Sequence, residues 1–156
     1  NALSVLVADP AKIWKARKAF AEADRARSLI FSMEDLVVPM NKIPETIEKI
    51  AELGQKYSIA IHCAGHAGDG NIHANILKDN LSEEDWNTKL PKLETEIYDY
   101  VYSVGGKLSG EHGIGHKRVK LMEKFSNPVE IKMMKAIKRA LDPKLILNPG
   151  SVLDIE

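Results

Sequence analysis

The sequence predicts an α+β domain: a ferredoxin-like, split-βαβ core with further helices toward its C-terminal end. Three observations carry that expectation. Between residues 35 and 111, segments of two-residue and 3.6-residue hydrophobic period follow one another in the order β-α-β-β-α-β. The middle pair of strand segments is joined by Asp69-Gly70, a strong hairpin signal. No repeat, low-complexity tract or linker-like stretch interrupts the 156 residues, so one domain over 1–156 is expected. A chain of that length buries roughly 70% of its unfolded surface.

Taken in order, Ala11 to Arg27 has helical composition, with Ile13, Ala16, Phe20 and Ala23 at a three-to-four spacing. Ser28 to Ser32 and Asp35 to Pro39 read as extended segments. Pro44 suits the first turn of a helix that presents Ile43, Ile47, Ile50 and Leu53 and stops at Gly54. Tyr57 to Ala64 alternates, Ile59, Ile61 and Cys63 against Ala60, His62 and Ala64. After the turn, Ile72, Ala74 and Ile76 alternate with His73, Asn75 and Leu77. Ser82-Glu-Glu-Asp85 resembles a capping box, and Trp86, Leu90, Leu93, Ile97 and Val101 continue at helical spacing. Pro91 is expected to split that stretch into a short turn and a main helix. Gly105-Gly106 ends it, Lys107 to Gly110 reads as a short strand, and Asn127-Pro128 caps a last helix to about Leu141.

Composition excludes several classes. Hydrophobic residues make up 44% and charged residues 28%, a globular balance that rules out intrinsic disorder. Twenty-two basic residues cancel twenty-two acidic ones, so no net field draws nucleic acid or an anionic membrane. No apolar run approaches a membrane span, and no charged-then-apolar leader opens the sequence. One cysteine, Cys63, excludes an internal disulfide and fits a cytoplasmic setting.

Four of the five histidines and most of the ten glycines fall in two islands, 62–73 and 105–115. With Asp69-Gly70 at the centre of the turn, His66 faces His73, and directly opposed Cβ atoms lie roughly 4.5–5.5 Å apart. Both lie on the face opposite the isoleucines, which leaves His62, His66, His73 and Asn75 on the open face. The hairpin and the exit of the fourth strand are expected at one end of the sheet, bringing Glu111 and His112 to the same edge. Two histidines and a carboxylate form the ligand set of catalytic zinc and facial-triad iron sites. His62 and His116 read as structural or solvated, Lys117 to Lys120 as a solvated helix face, Trp14 and Trp86 as packing residues, and Cys63 as an inert core thiol.

Three ordered motifs also carry a resemblance: His66-Ala-Gly-Asp-Gly-Asn-Ile-His73 with Asn75, Ser109-Gly-Glu-His-Gly-Ile-Gly115, and Asp142-Pro-Lys-Leu-Ile-Leu-Asn-Pro-Gly150. Together they resemble the C-terminal domain of FAD-linked oxidases, in the branch of the glycolate oxidase FAD-binding subunit and D-lactate dehydrogenase. The resemblance implies the latter part of a longer enzyme whose FAD sits mainly on an N-terminal domain outside this sequence. It implies His66, His73 and Glu111 as metal ligands, with zinc first and iron or manganese next. It implies His112 as catalytic base, Arg17 and Asn75 at the substrate, and Asn148 in a tail that turns back toward the flavin. D-2-hydroxyglutarate dehydrogenases carry a lysine just ahead of the residue matching Asp35, where this chain has Met33-Glu34, which points to glycolate or D-lactate. Ether-lipid synthases have histidine at the position of Glu111, which argues against that branch.

The implied chemistry is oxidation of a D-2-hydroxy acid, chelated by a divalent ion that lowers its hydroxyl pKa, while imidazole takes the proton and flavin the hydride. The implied partners are the hydroxy acid, the chain's own flavin domain, an electron-transfer flavoprotein or iron-sulfur subunit that could hold the enzyme near a membrane, and a second copy through the exposed sheet face. The alternative is a stand-alone metal- or ligand-binding module without catalysis, in which Asn148-Pro-Gly150 has no evident purpose.

Overall fold

A computed structural model describes residue 7 and residues 9–155, so the ends of the expected 1–156 domain lie outside the described residues. Four strands form one antiparallel sheet in the order β2-β3-β1-β4: β1 Phe31–Val37, β2 Ile61–His66, β3 Asn71–Leu77 and β4 Lys107–Leu108. That is the split-βαβ order expected. Helices α3 (Ile43–Tyr57) and α4 (Glu83–Ser103) cover the apolar face, where Leu36, Ile72, Ala74 and Ile76 meet Ile50, Leu53, Leu93, Ile97, Tyr98 and Val101. These residues are almost fully buried, and each large side chain contributes roughly 1.5–3 kcal/mol of transfer free energy. Among the described residues no helix is long and apolar enough to cross a membrane.

Local chemistry explains most boundaries. Ser82 Oγ accepts from Asp85 N at 3.0 Å and starts α4. Asn127 caps α6 (Pro128–Leu141) with its side chain on Val129 N at 2.9 Å. Several boundaries differ from those expected. The N-terminal helical segment is two helices, α1 (Pro10–Lys18) and α2 (Phe20–Arg27), and Ile13 and Trp14 are more than half exposed, so Trp14 is not a core residue. Extended chain from Phe31 to Val37 is continuous, with no break between the two segments expected there. Helix α3 runs through Gly54 and ends at Ser58, whose φ is +56°. Gly54 serves packing instead: a Cβ there would lie 2.9 Å from the Ile59 carbonyl. In α3 the buried face uses Thr46 with Ile50 and Leu53, and Ile47 sits at the rim. Pro91 leaves α4 unbroken, because Pro91 and Asn87, the carbonyl it cannot bond, are both exposed to water. A further helix, α5 (Val119–Phe125), follows the second island. Between Lys117 and Lys120 the two lysines are exposed as expected, but Arg118 is buried, and both it and Lys117 reach the buried Glu34.

The β2–β3 connection differs from a two-residue hairpin. Ala67–Asp69 form a turn of 3-10 helix and Gly70 follows at φ +72°, so His66 pairs with Asn71 and Ala64 with His73. This register is offset by two residues from the expected one. An even offset keeps every side chain on its face, so His66 and His73 remain neighbours, diagonally rather than directly opposed.

Candidate metal and substrate site

The site is organised by a carboxylate that the sequence reading passed over. Asp35 lies at the centre of β1, paired with His73 on β3, and is fully buried. Its Oδ2 accepts from Ser109 Oγ at 2.8 Å, Glu111 N at 2.9 Å and His112 N at 2.8 Å. Its Oδ1 accepts from Asn71 Nδ2 at 2.7 Å. Burial raises the Asp35 carboxyl, but these donors outweigh it, led by the amides of His112 and Glu111, and hold it at about 2. The chain from Ser109 to His112 is thereby wrapped around one anion, and Gly113 N closes the turn on Ser109 Oγ at 2.7 Å. Gly110 crosses so close to Asn71 that a Cβ would lie 1.9 Å from Asn71 Nδ2, which only glycine avoids.

The route by which the two islands meet also differs from the expected one. An antiparallel β4 beside β1 carries the chain away from the β2–β3 turn. The islands meet because β4 lasts two residues and Ser109 N then bonds the Asp35 carbonyl at 3.2 Å, level with His73. Glu111 Oε1 lies 2.8 Å from His73 Nε2, and 3.5 Å from His66 Nε2 and from His112 Nε2. The His66 and His73 rings stand edge to face at 5.8 Å, and the His112 ring lies 4.9 Å from that of His73.

Ligand atoms of His66, His73 and Glu111 all fall within 4.8 Å of one another. Donors sharing one ion at 2.0–2.2 Å sit about 3–4 Å apart, so small side-chain shifts suffice. The approach of His73 Nε2 to Glu111 lacks hydrogen-bond geometry, and that buried nitrogen has no hydrogen-bond partner among the described residues. An orphaned imidazole nitrogen beside a carboxylate and a second imidazole suits a divalent ion of the zinc or iron type.

Around this cluster the other expected residues are distributed unevenly. Arg17 on α1 reaches the edge of the triad, its Nη2 3.3 Å from His66 Nε2, with the guanidinium over the Trp14 ring. Asn75 shares the open face but is 5% exposed, because α2 covers it: its Nδ2 donates to Asp24 Oδ2 at 2.6 Å. Asp24 Oδ1 in turn lies 2.5 Å from His62 Nδ1, and His62 Nε2 lies 3.1 Å from Arg27. His62 therefore fastens α2 to the sheet. Asn148 sits in the tail, at φ +49°, beside a cavity of about 200 Å³ lined by Lys138, Leu145 and Leu153. The tail is tied to the second island through Val152 N to Gly115 O at 2.8 Å and His116 Nδ1 to Gly150 O at 3.0 Å. Cys63 lies on the apolar side, and burial pushes its thiol up to about 11, which keeps it protonated. Asp35 and Asp24 were the functional residues missed. For Asp35 the available signal was the acidic pair Glu34-Asp35 set directly before the apolar run Leu36-Val37-Val38.

Comparison with known proteins agrees with this architecture. The chain matches the family described as FAD linked oxidases, C-terminal domain, over residues 4–152. It is 34% identical over 156 residues to a D-lactate dehydrogenase of Anaerostipes hadrus, covering 97% of this chain and 33% of that protein. It is 37% identical over 144 residues to the glycolate oxidase subunit GlcD of Escherichia coli (strain K12), covering 92% and 28%. A D-2-hydroxyglutarate dehydrogenase of Stutzerimonas stutzeri is 36% identical over 121 residues, covering 76% and 26%. The chain thus spans a third or less of the length of these curated relatives. With a match over nearly all its length, the chain belongs to the C-terminal domain family of the FAD linked oxidases.

Proposed function

We propose that this chain is the substrate- and metal-binding part of an FAD-dependent oxidoreductase that converts a D-2-hydroxy acid, glycolate or D-lactate, to the 2-oxo acid. The observation that carries the proposal is the convergence of His66, His73 and Glu111 on one point, with Arg17 and His112 beside it. Relatives named D-lactate dehydrogenase and glycolate oxidase subunit GlcD support the same reading. The flavin is held mainly by another domain of the whole protein, with Asn148 in the tail that approaches it. An electron-transfer flavoprotein or iron-sulfur subunit then takes the electrons.

His66, His73 and Glu111 would hold the metal. Bound there, it supplies Lewis acidity toward the substrate hydroxyl, and the flavin accepts hydride. The work of the chain's own residues follows from their chemistry. Arg17 offers a planar fork that binds the carboxylate through two parallel hydrogen bonds. His112 takes the hydroxyl proton at a ring nitrogen, while the C–H electron pair leaves as hydride, and the C–O bond becomes a carbonyl. Asp35 keeps His112 and Glu111 in place through their amides, so the base and the carboxylate cannot drift apart. Asp24 fixes the Asn75 amide at the substrate's side of the sheet. Met33, paired with Asn75 across the sheet, brings no charge, which favours a substrate with one carboxylate.

The test is anaerobic reduction of the whole native enzyme by glycolate and by D-lactate. Bleaching of the flavin absorbance is expected with at least one, and His112→Ala should block bleaching while the hydroxy acid still binds. Failure of every 2-hydroxy acid tried to bleach the flavin would favour a binding module without catalysis.

A further inference from the structure

On the opposite side of β1 from the imidazoles lies a second group of charges, none of them a ligand. Glu34 projects toward α4, is fully buried, and accepts from Tyr98 OH at 2.7 Å. Lys117 pairs with Glu34 and also donates to Ser32 Oγ and to the Met33 carbonyl, each at 2.8 Å. Arg118, 6% exposed, faces Glu34 Oε2 through Nε at 3.4 Å. Its Nη2 donates to the Met33 carbonyl at 2.7 Å and its Nη1 to the Gly113 carbonyl at 3.3 Å. Buried ion clusters are poor stabilisers, since apolar residues of similar volume do as well or better. Geometry gives this one another use.

Gly113 directly follows His112 and has no side chain through which to be anchored; its φ is +75°. Its N–H is already taken by Ser109 Oγ at 2.7 Å, which leaves its carbonyl as the remaining handle at the far end of the Glu111–His112 pair. At the near end Asp35 holds the amides of both residues. Asp35 and the Met33 carbonyl are two residues apart on one strand. The loop is thus clamped to a single short stretch of β1 from both faces of the sheet.

Resting on the metal-site reading above, we propose that Arg118 is a positioning residue for Glu111 and His112, its fork bridging β1 to the carbonyl that follows them. The rigid guanidinium can span two carbonyls and face a carboxylate at once, whereas the single ammonium of lysine has no such fork. Arg118→Lys therefore keeps the charge opposite Glu34 and loses the bridge. Tyr98→Phe is the control: Tyr98 neighbours Arg118 as well as Glu34, but the change removes a bond to the same Glu34 and leaves the Arg118 fork and every loop atom in place.

Zinc titration of this chain by calorimetry, alongside thermal unfolding and amide hydrogen exchange at His112 without metal, separates the possibilities. Arg118→Lys should fold, bind zinc about 10–100-fold more weakly, and exchange the His112 amide faster. Tyr98→Phe should lower the unfolding temperature while leaving zinc affinity and His112 exchange unchanged. The positioning role is overturned if Arg118→Lys exchanges His112 like the parent, or if Tyr98→Phe alters zinc affinity and exchange to the same extent. Absence of zinc binding to the unaltered chain would overturn the metal reading alone, and the exchange comparison would still decide the role of Arg118.

Discussion

Asp35 is the residue on which the site's geometry converges, and its protonation makes a measurable prediction. Folding lowers its carboxyl from 3.8 to about 2, so its ionised form stabilises the fold at any pH above about 4. That contribution, about 2 kcal/mol, should disappear as pH falls from 4 toward 2. Asp35→Asn should cost about 2–4 kcal/mol at pH 7, because its amide would face the Glu111 and His112 N–H groups with donors of its own. Urea unfolding should show the gap between parent and variant closing below pH 4. Glu94, on α4, accepts from Ser32 Oγ at 2.9 Å beside the buried Glu34, and it behaves oppositely. Burial, and after it the neighbouring Glu34, raise its carboxyl to about 7, so its stabilising protonated form is complete below pH 4.5 and is lost as pH rises through 7. Glu94→Gln should flatten stability between those limits, and an unchanged pH slope would contradict that assignment. At this scale the triad was legible because histidines and a glutamate among glycines are conspicuous. Asp35 was not, since a carboxylate that binds backbone N–H groups leaves no partner pattern in the sequence.

Among the elements, strand order and faces were legible, but lengths and register were less so. Alternation fixes which side chains share a face, and a two-residue register offset leaves that intact, so the open-face histidines followed from sequence alone. Loop length did not, because Asp69-Gly70 is compatible both with a two-residue turn and with the 3-10 turn that ends in Gly70. Nor did the early end of β4, which depends on Asp35 capturing the chain after Leu108. Gly70 is the position where this loop is most constrained. Its φ is +72° and a Cβ would lie 2.1 Å from the Val38 carbonyl, whereas a Cβ at Gly68 would meet nothing within 4 Å. Gly70→Ala should therefore destabilise by more than about 1 kcal/mol, and Gly68→Ala should stay within about 0.5 kcal/mol of the parent. Equal effects in chemical denaturation would contradict the loop geometry.

For the whole molecule, one apolar face is turned outward. Val129, Met133, Ile137 and Leu141 recur every four residues along α6 and are each more than half exposed. The apolar core was legible from hydrophobic period, while this face was not, because the same period marks any buried helix stripe. The chain purified alone should carry no flavin absorbance, since the proposed flavin cradle lies mainly on another domain; a yellow preparation would contradict that division of labour. We propose that His66, His73 and Glu111 hold a single ion, and calorimetric zinc titration of the chain measures that binding itself. One zinc per chain is expected, with binding abolished in His73→Ala and retained in His112→Ala. Zinc uptake that is absent, or that survives unchanged in His73→Ala, would rule out this triad as the ion's ligands.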